Sequence, residues 1–149
     1  MLGLADIRDW IESMRLADHY YIGKLDDKQD RSIGVYQRQA ASEPRMAIGG
    51  LSRTSYDIKY ISVLVHWNHS ARETEEAAAE LFAALRTARN VELDAEGNVI
   101  SGESAGAETA HRIMFVDMAC SEPVDVGTDD NGIYERVIWF DAYYEREEE

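Results

Sequence analysis

The chain has 149 residues, 45% of them hydrophobic, which suits one domain with its own core and argues against global disorder. Its charge is lopsided: 15 Lys and Arg against 29 Asp and Glu leave −14 at pH 7, with a pI of about 4.6. That balance argues against gripping a phosphate backbone, which takes clustered cations, and against adsorption to anionic membranes. A single cysteine, Cys120, excludes an internal disulfide. No apolar run approaches the roughly 18 residues of a membrane helix, and MLGLADIRDWIE lacks the basic start of a signal peptide.

Taken in order, Leu4, Ile7, Ile11 and Met14 recur at helical spacing with Asp6, Arg8, Asp9 and Glu12 opposite. This predicts a short amphipathic helix ending near Ala17-Asp18. Tyr20-Tyr21-Ile22 reads as a brief strand stopped by Gly23, and KLDDKQDR as a charged turn. Ser32 to Arg38 is a second strand, with Gly34 marking a bulge or a close backbone approach. Residues 39–56 hold Pro44 and Gly49-Gly50, both interrupters, so a long mobile loop is expected there with a short strand around Met46 to Ile48.

The stretch from Asp57 to Ala88 carries the clearest pattern. Ile61, Val63, Val65 and Trp67 alternate along a strand, with Lys59, Tyr60, Ser62 and His66 breaking up the rest. The period then changes. Ser70 and Glu73 form a Ser-x-x-Glu capping box, Glu73, Glu75 and Glu76 sit at the positive end of the helix dipole, and Arg86 and Arg89 at the negative end. Ala77, Ala78, Leu81, Leu85 and Ala88 make one apolar stripe, with small alanines that let the helix lie close on a sheet.

Beyond it, Asn90 suits a left-handed cap, and VELDAEGNVI a small hairpin around Glu96-Gly97-Asn98. SGESAGAETA reads as a loop, making 90–110 a second mobile region. His111 to Cys120 is a strand, SEPVDVGTDDNG is turn-rich, and Ile133 to Glu145 is the final strand before an acidic tail, 145–149. The fold class is therefore α+β in a single domain, 1–149. A mostly antiparallel sheet of about four to six strands is expected, with two helices packed on one face.

The final strand has two unlike faces. Tyr134, Ile138, Phe140 and Ala142 suit a core, whereas Glu135, Val137, Trp139, Asp141 and Tyr143 mix aromatics with carboxylates. Val137, Trp139 and Tyr143 are the candidate subunit or partner interface, since Trp and Tyr favour surfaces that a neighbour buries. A second layer of the same chain, such as 39–56, would also explain that face.

Catalytic signals are missing. His66 and His69 form an H-x-x-H pair across a strand-to-helix junction, which does not place both rings on one face. TDDNG lacks calcium-loop spacing and reads as a tight turn. Cys120 follows an apolar strand and precedes Ser-Glu-Pro, a poor setting for a nucleophile. No G-x-S-x-G, phosphate-binding glycine loop or dinucleotide fingerprint is present. No catalytic, cofactor or metal residues are assigned.

Three blocks carry a resemblance: IGGLSRTSYDIKYISVLVHWN, TEEAAAELFAAL and EPVDVGTDDNGIYERVI. They resemble a phage minor capsid protein family of tailed phages and prophages, akin in pattern to tail terminator and tail-completion proteins. The resemblance covers most of residues 4–145. It implies a structural virion protein at the head–tail junction or the tube end, with no enzymatic activity. It also implies assembly in the bacterial host cytoplasm as a homo-oligomeric ring, a hexamer, that meets tail tube protein and head connector proteins. DNA would pass through such a ring without specific binding, repelled by carboxylates, and no membrane is involved. A head-completion protein on the capsid side is the near alternative; a small acidic ligand-binding module or enzyme without a recognisable motif is the distant one.

Overall fold

In the computed structural model, which describes residues 1–23, 30–39, 48, 55–100 and 108–146, two helices and seven strands are found. In chain order these are α1 (Leu4–Ser13), β1 (His19–Ile22), β2 (Ser32–Gln37), β3 (Tyr56–His66), α2 (Ala71–Arg86), β4 (Arg89–Leu93), β5 (His111–Met118), β6 (Val124–Thr128) and β7 (Tyr134–Glu145). The strands join one sheet in the order β1-β2-β3-β7-β5-β4, with β6 also paired to β7. Every pairing is antiparallel except β1 with β2, which is parallel.

The sheet therefore has more strands than the four to six expected, and it is mixed. The strand missed from sequence is β6, where Val124, Val126 and Thr128 favour a strand but alternate with Asp125 and Gly127, two poor strand formers, in a turn-rich setting. It pairs because β7 is longer than its neighbour β5. That strand covers the far half of β7, from Phe140 to Tyr144, leaving the near half, Tyr134 to Val137, to β6. Backbone groups there need partners, and that need outweighs the breaks at Asp125 and Gly127.

Both predicted helices form. In α1 the first turn is fixed by Asp6, whose carboxylate accepts from the Gly3 N–H at 2.9 Å. The helix ends at Ser13 rather than near Ala17, because Arg15 turns into the left-handed region at φ 55°. At the start of α2 the capping box is only half closed. Ser70 Oγ accepts from the Glu73 N–H at 3.2 Å. The return arm is taken by Asn68, whose side chain accepts from the Ser70 N–H at 2.9 Å and donates to Glu73 at 2.8 Å. Asn90 is left-handed, at φ 49°, yet it lies beyond the helix cap Thr87, inside β4. The small hairpin is present as a bridge from Leu93 to Val99, with Asp94 accepting from the Glu96 and Asn98 N–H groups.

The core is one cluster. From α1 come Ile7, Trp10 and Ile11, and from α2 come Ala78, Leu81, Phe82 and Leu85. They meet Ile33, Val35, Ile61, Val63, Val65, Ile138, Phe140 and Ala142 of the central strands. Each fully buried Leu, Ile or Phe contributes about 1.5–3 kcal/mol, so this cluster dominates stability. Helix α2 lies against β7, β3 and β5, and α1 against β1 and β2. Most of the predicted loop 39–56 with its Met46–Ile48 strand, the centre of the loop 90–110, and the end of the tail 145–149 lie outside the described residues.

Candidate subunit interface

Strands β3 and β7 form the centre of the sheet, and their register decides which side chains share a face. Ile61 stands opposite Phe140 and Val63 opposite Ile138, all buried. Lys59 falls on that same face and is buried, unlike the polar break expected of it. By alternation, the other face of the pair carries Ile58, Tyr60, Ser62, Leu64 and His66 against Tyr143, Asp141, Trp139, Val137 and Glu135. The division of β7 into two unlike faces thus matches the sequence, and Phe140 is fully buried while Trp139 is 38% exposed.

The three candidate residues all lie on this outer face, in different settings. Val137 is half-buried between Leu64 and Val124. Trp139 is partly exposed. Tyr143 is buried, its ring stacked on Phe115 at 4.4 Å and tilted against Tyr56 at 5.5 Å. Phe115 is itself 37% exposed and was not foreseen. Simple alternation puts it on the face of Ile113, which is fully buried. A register shift between the two residues instead pairs Ile113 with Tyr144 and Phe115 with Tyr143, turning the phenyl ring outward.

Charge is concentrated in the middle of this face. Asp117 and Asp141 stand directly opposite each other on β5 and β7, an arrangement that costs energy for like charges. Arg38 relieves one of them. Its guanidinium pairs with Asp141, donates to the Ile61 carbonyl at 3.2 Å, and lies 5.5 Å over the Tyr60 ring. Burial raises the Asp141 carboxyl above its ordinary range; Arg38 pulls it back and the Asp117 charge adds to the rise. Tyr60 is raised as well, by burial and then by Asp141, against Arg38. Asp117 is exposed and makes no ion pair among the described residues.

The other polar candidates go to local partners. His66 is buried, with Nδ1 at 3.1 Å from Glu135 and Nε2 at 3.6 Å from Asp129, too far for a hydrogen bond. His69 turns to the Gly132 carbonyl at 3.2 Å, so the two rings of the H-x-x-H pair do not converge. The TDDNG turn forms as expected, with Asp129 accepting from the Asn131 and Ile133 N–H groups and Gly132 at φ 79°. Cys120 packs on the Trp139 backbone, its sulfur 3.5 Å from the amide nitrogen. Among the described residues no three His, Cys, Asp or Glu side chains are grouped to hold a metal ion, and no helix is long and apolar enough to cross a membrane.

A groove of about 580 Å³ runs along α2. Ala79, Phe82 and Ala83 line it beside Pro123, with Arg86, Arg136, Glu75 and Glu122 among its polar groups. Arg136 is held near Glu75 at 3.9 Å and Asp125 at 4.0 Å.

Among the described residues this arrangement offers a partly exposed outer face and a groove, and no metal-binding cluster. No curated protein and no solved structure matches the chain. A family model described as bacteriophage tail terminator protein matches residues 1–146, and the chain belongs to that family.

Proposed function

We propose that this structural phage tail protein works as a ring of identical subunits, a hexamer, joined through the outer face of the sheet around Trp139 and Tyr143. In this reading the chain is one domain whose two helices cover the opposite face. The observation that carries it is the exposure of Trp139 and Phe115 on a central face beside an Asp117–Asp141 pair. Large aromatics are costly to leave in water and are favoured where a partner excludes it. Membership of the tail terminator family supports a place in the virion and contacts with other tail or head components. The tail tube and the head connector are the proposed neighbours, and assembly takes place in the host cytoplasm. An excess of carboxylates supports a lumen through which DNA slides without sticking.

The experiment is mass in solution across ionic strength. Like charges on each subunit oppose association, and salt screens them within about 10 Å at 0.1 M. Six copies are expected at raised salt, or on the ends of purified tail tubes. A chain that is monomeric at every salt concentration and also ignores tube ends overturns the ring.

A further inference from the structure

We infer that the ring contact joins two different surfaces: the outer patch of one copy, around Trp139 and Asp117, seats in the α2 groove of the next, with Asp117 meeting Arg86. This rests on the ring reading and names the surface that receives the exposed face.

Charge is the first argument. If two copies met outer face to outer face, each Asp117–Asp141 pair would confront its own copy, setting four carboxylates against two Arg38 guanidiniums. Like charges so placed suppress association. The groove offers the missing cation instead. Arg86 is exposed and, like Asp117, makes no ion pair among the described residues. Arg136 is already flanked by Glu75 and Asp125, so Arg86 is the groove's available positive charge. Glu122 also lines the groove and weakens the contact.

Shape and direction agree. The groove's volume of about 580 Å³ falls within the range of cavities that hold sizeable ligands, and its walls of Ala79, Phe82, Ala83 and Pro123 suit an aromatic ring. Along β7, Arg136 of the groove and Trp139 are separated by an odd step, so they project to opposite sides of the sheet. A contact between patches on opposite sides runs head to tail, and repeating such a contact closes a ring when the rotation allows. A self-complementary contact would stop at two copies.

Charge reversal tests this on the full chain. Arg86→Glu and Asp117→Arg each alter an exposed residue, and circular dichroism should show both folded. In sedimentation, each alone is expected to associate at least about tenfold more weakly than the parent, because each sets like charges together. An equal mixture of the two should recover assembly, since acidic face then meets basic groove and basic face meets acidic groove; the double variant should recover it too. Neutral Arg86→Gln and Asp117→Asn should fall between. If Arg86→Glu assembles as the parent does, the groove is not the receptor, while the ring itself stands. Failure of the mixture to recover also overturns the pairing. A parent chain that never assembles removes the ring and this contact together.

Discussion

Residues 139 and 140 are neighbours in sequence and opposites in setting, so truncating each separates folding from association. Phe140 is fully buried, lying across from Ile61 and Met118. Phe140→Ala removes that ring and leaves a cavity, which costs about 3–5 kcal/mol from a total stability of roughly 5–15 kcal/mol. Trp139 is 38% exposed, so about three-fifths of its surface is covered within its own subunit. With an aromatic burying about 150–250 Å² at about 25 cal/mol per Å², the covered part is worth at most roughly 2–4 kcal/mol. Trp139→Thr puts a β-branched strand former there that restores part of it, and a partly exposed site leaves no closed void, so a loss of about 2 kcal/mol is expected. An aspartate at 139 would blur the result, since Asp141 lies two residues along the same face. Urea unfolding should place Phe140→Ala clearly below Trp139→Thr in midpoint, with unchanged slopes. Sedimentation should show Trp139→Thr folded yet unable to form the ring. If Trp139→Thr assembles as the parent does, or costs as much stability as Phe140→Ala, the assignment of this face is wrong.

Three further outcomes follow from local geometry. Ser70→Ala removes the side-chain cap on α2 and should lower stability by about 0.5–2 kcal/mol in urea melts; a neutral result would mean that Asn68 alone holds the helix start. Gly97 and Gly132 both have positive φ, 84° and 79°, but a methyl at 97 would meet the Asp9 carboxylate at 2.8 Å whereas one at 132 meets only His69 at 3.6 Å. Gly97→Ala should therefore destabilise more than Gly132→Ala, and the reverse order of melting temperatures would refute the docking of that hairpin on α1. The last concerns pH. Because the folded chain raises the Asp141 carboxyl, it holds that proton longer than the unfolded chain does, so this group's contribution is greatest in acid and declines as pH rises through the window above the ordinary carboxylate value. Asp141→Asn lacks that decline and should gain on the parent as pH rises above the ordinary carboxylate value; a gap that moves the other way would reverse the sign assigned to burial.

Much of this was readable from the residues. The alternation in β3 and β7 and the three-and-four spacing of α2 are periodic signals, and they placed the core residues Ile61, Val63, Leu81 and Phe140 without any partner being known. What was hidden depends on pairing. Within Val124–Thr128 the alternation of Val124, Val126 and Thr128 is short and broken by Asp125 and Gly127, so the strand is settled by β7 outrunning β5. Phe115 is outward only because of a register shift that no local pattern announces, and the Asp117–Asp141 opposition needs the order of strands, not their identity. The half-closed capping box is a smaller case, since Asn68 competes for Ser70 from outside the four-residue motif.

The place of β7 in the sheet has a consequence for how the subunit comes into being. It follows every other described strand in the chain, yet it is the only link between β1-β2-β3 on one side and β4-β5 with β6 on the other. Until it emerges from the ribosome, the earlier strands can form two partial sheets whose inner edges stay unpaired and prone to sticking. Closing the sheet brings residues from far apart in sequence together in one late step, so folding should be slow for a chain of this size. The same step creates the outer face, because Val137, Trp139, Asp141 and Tyr143 all arrive on that strand. On the proposed ring, a nascent copy would thus be unable to join before it has finished folding.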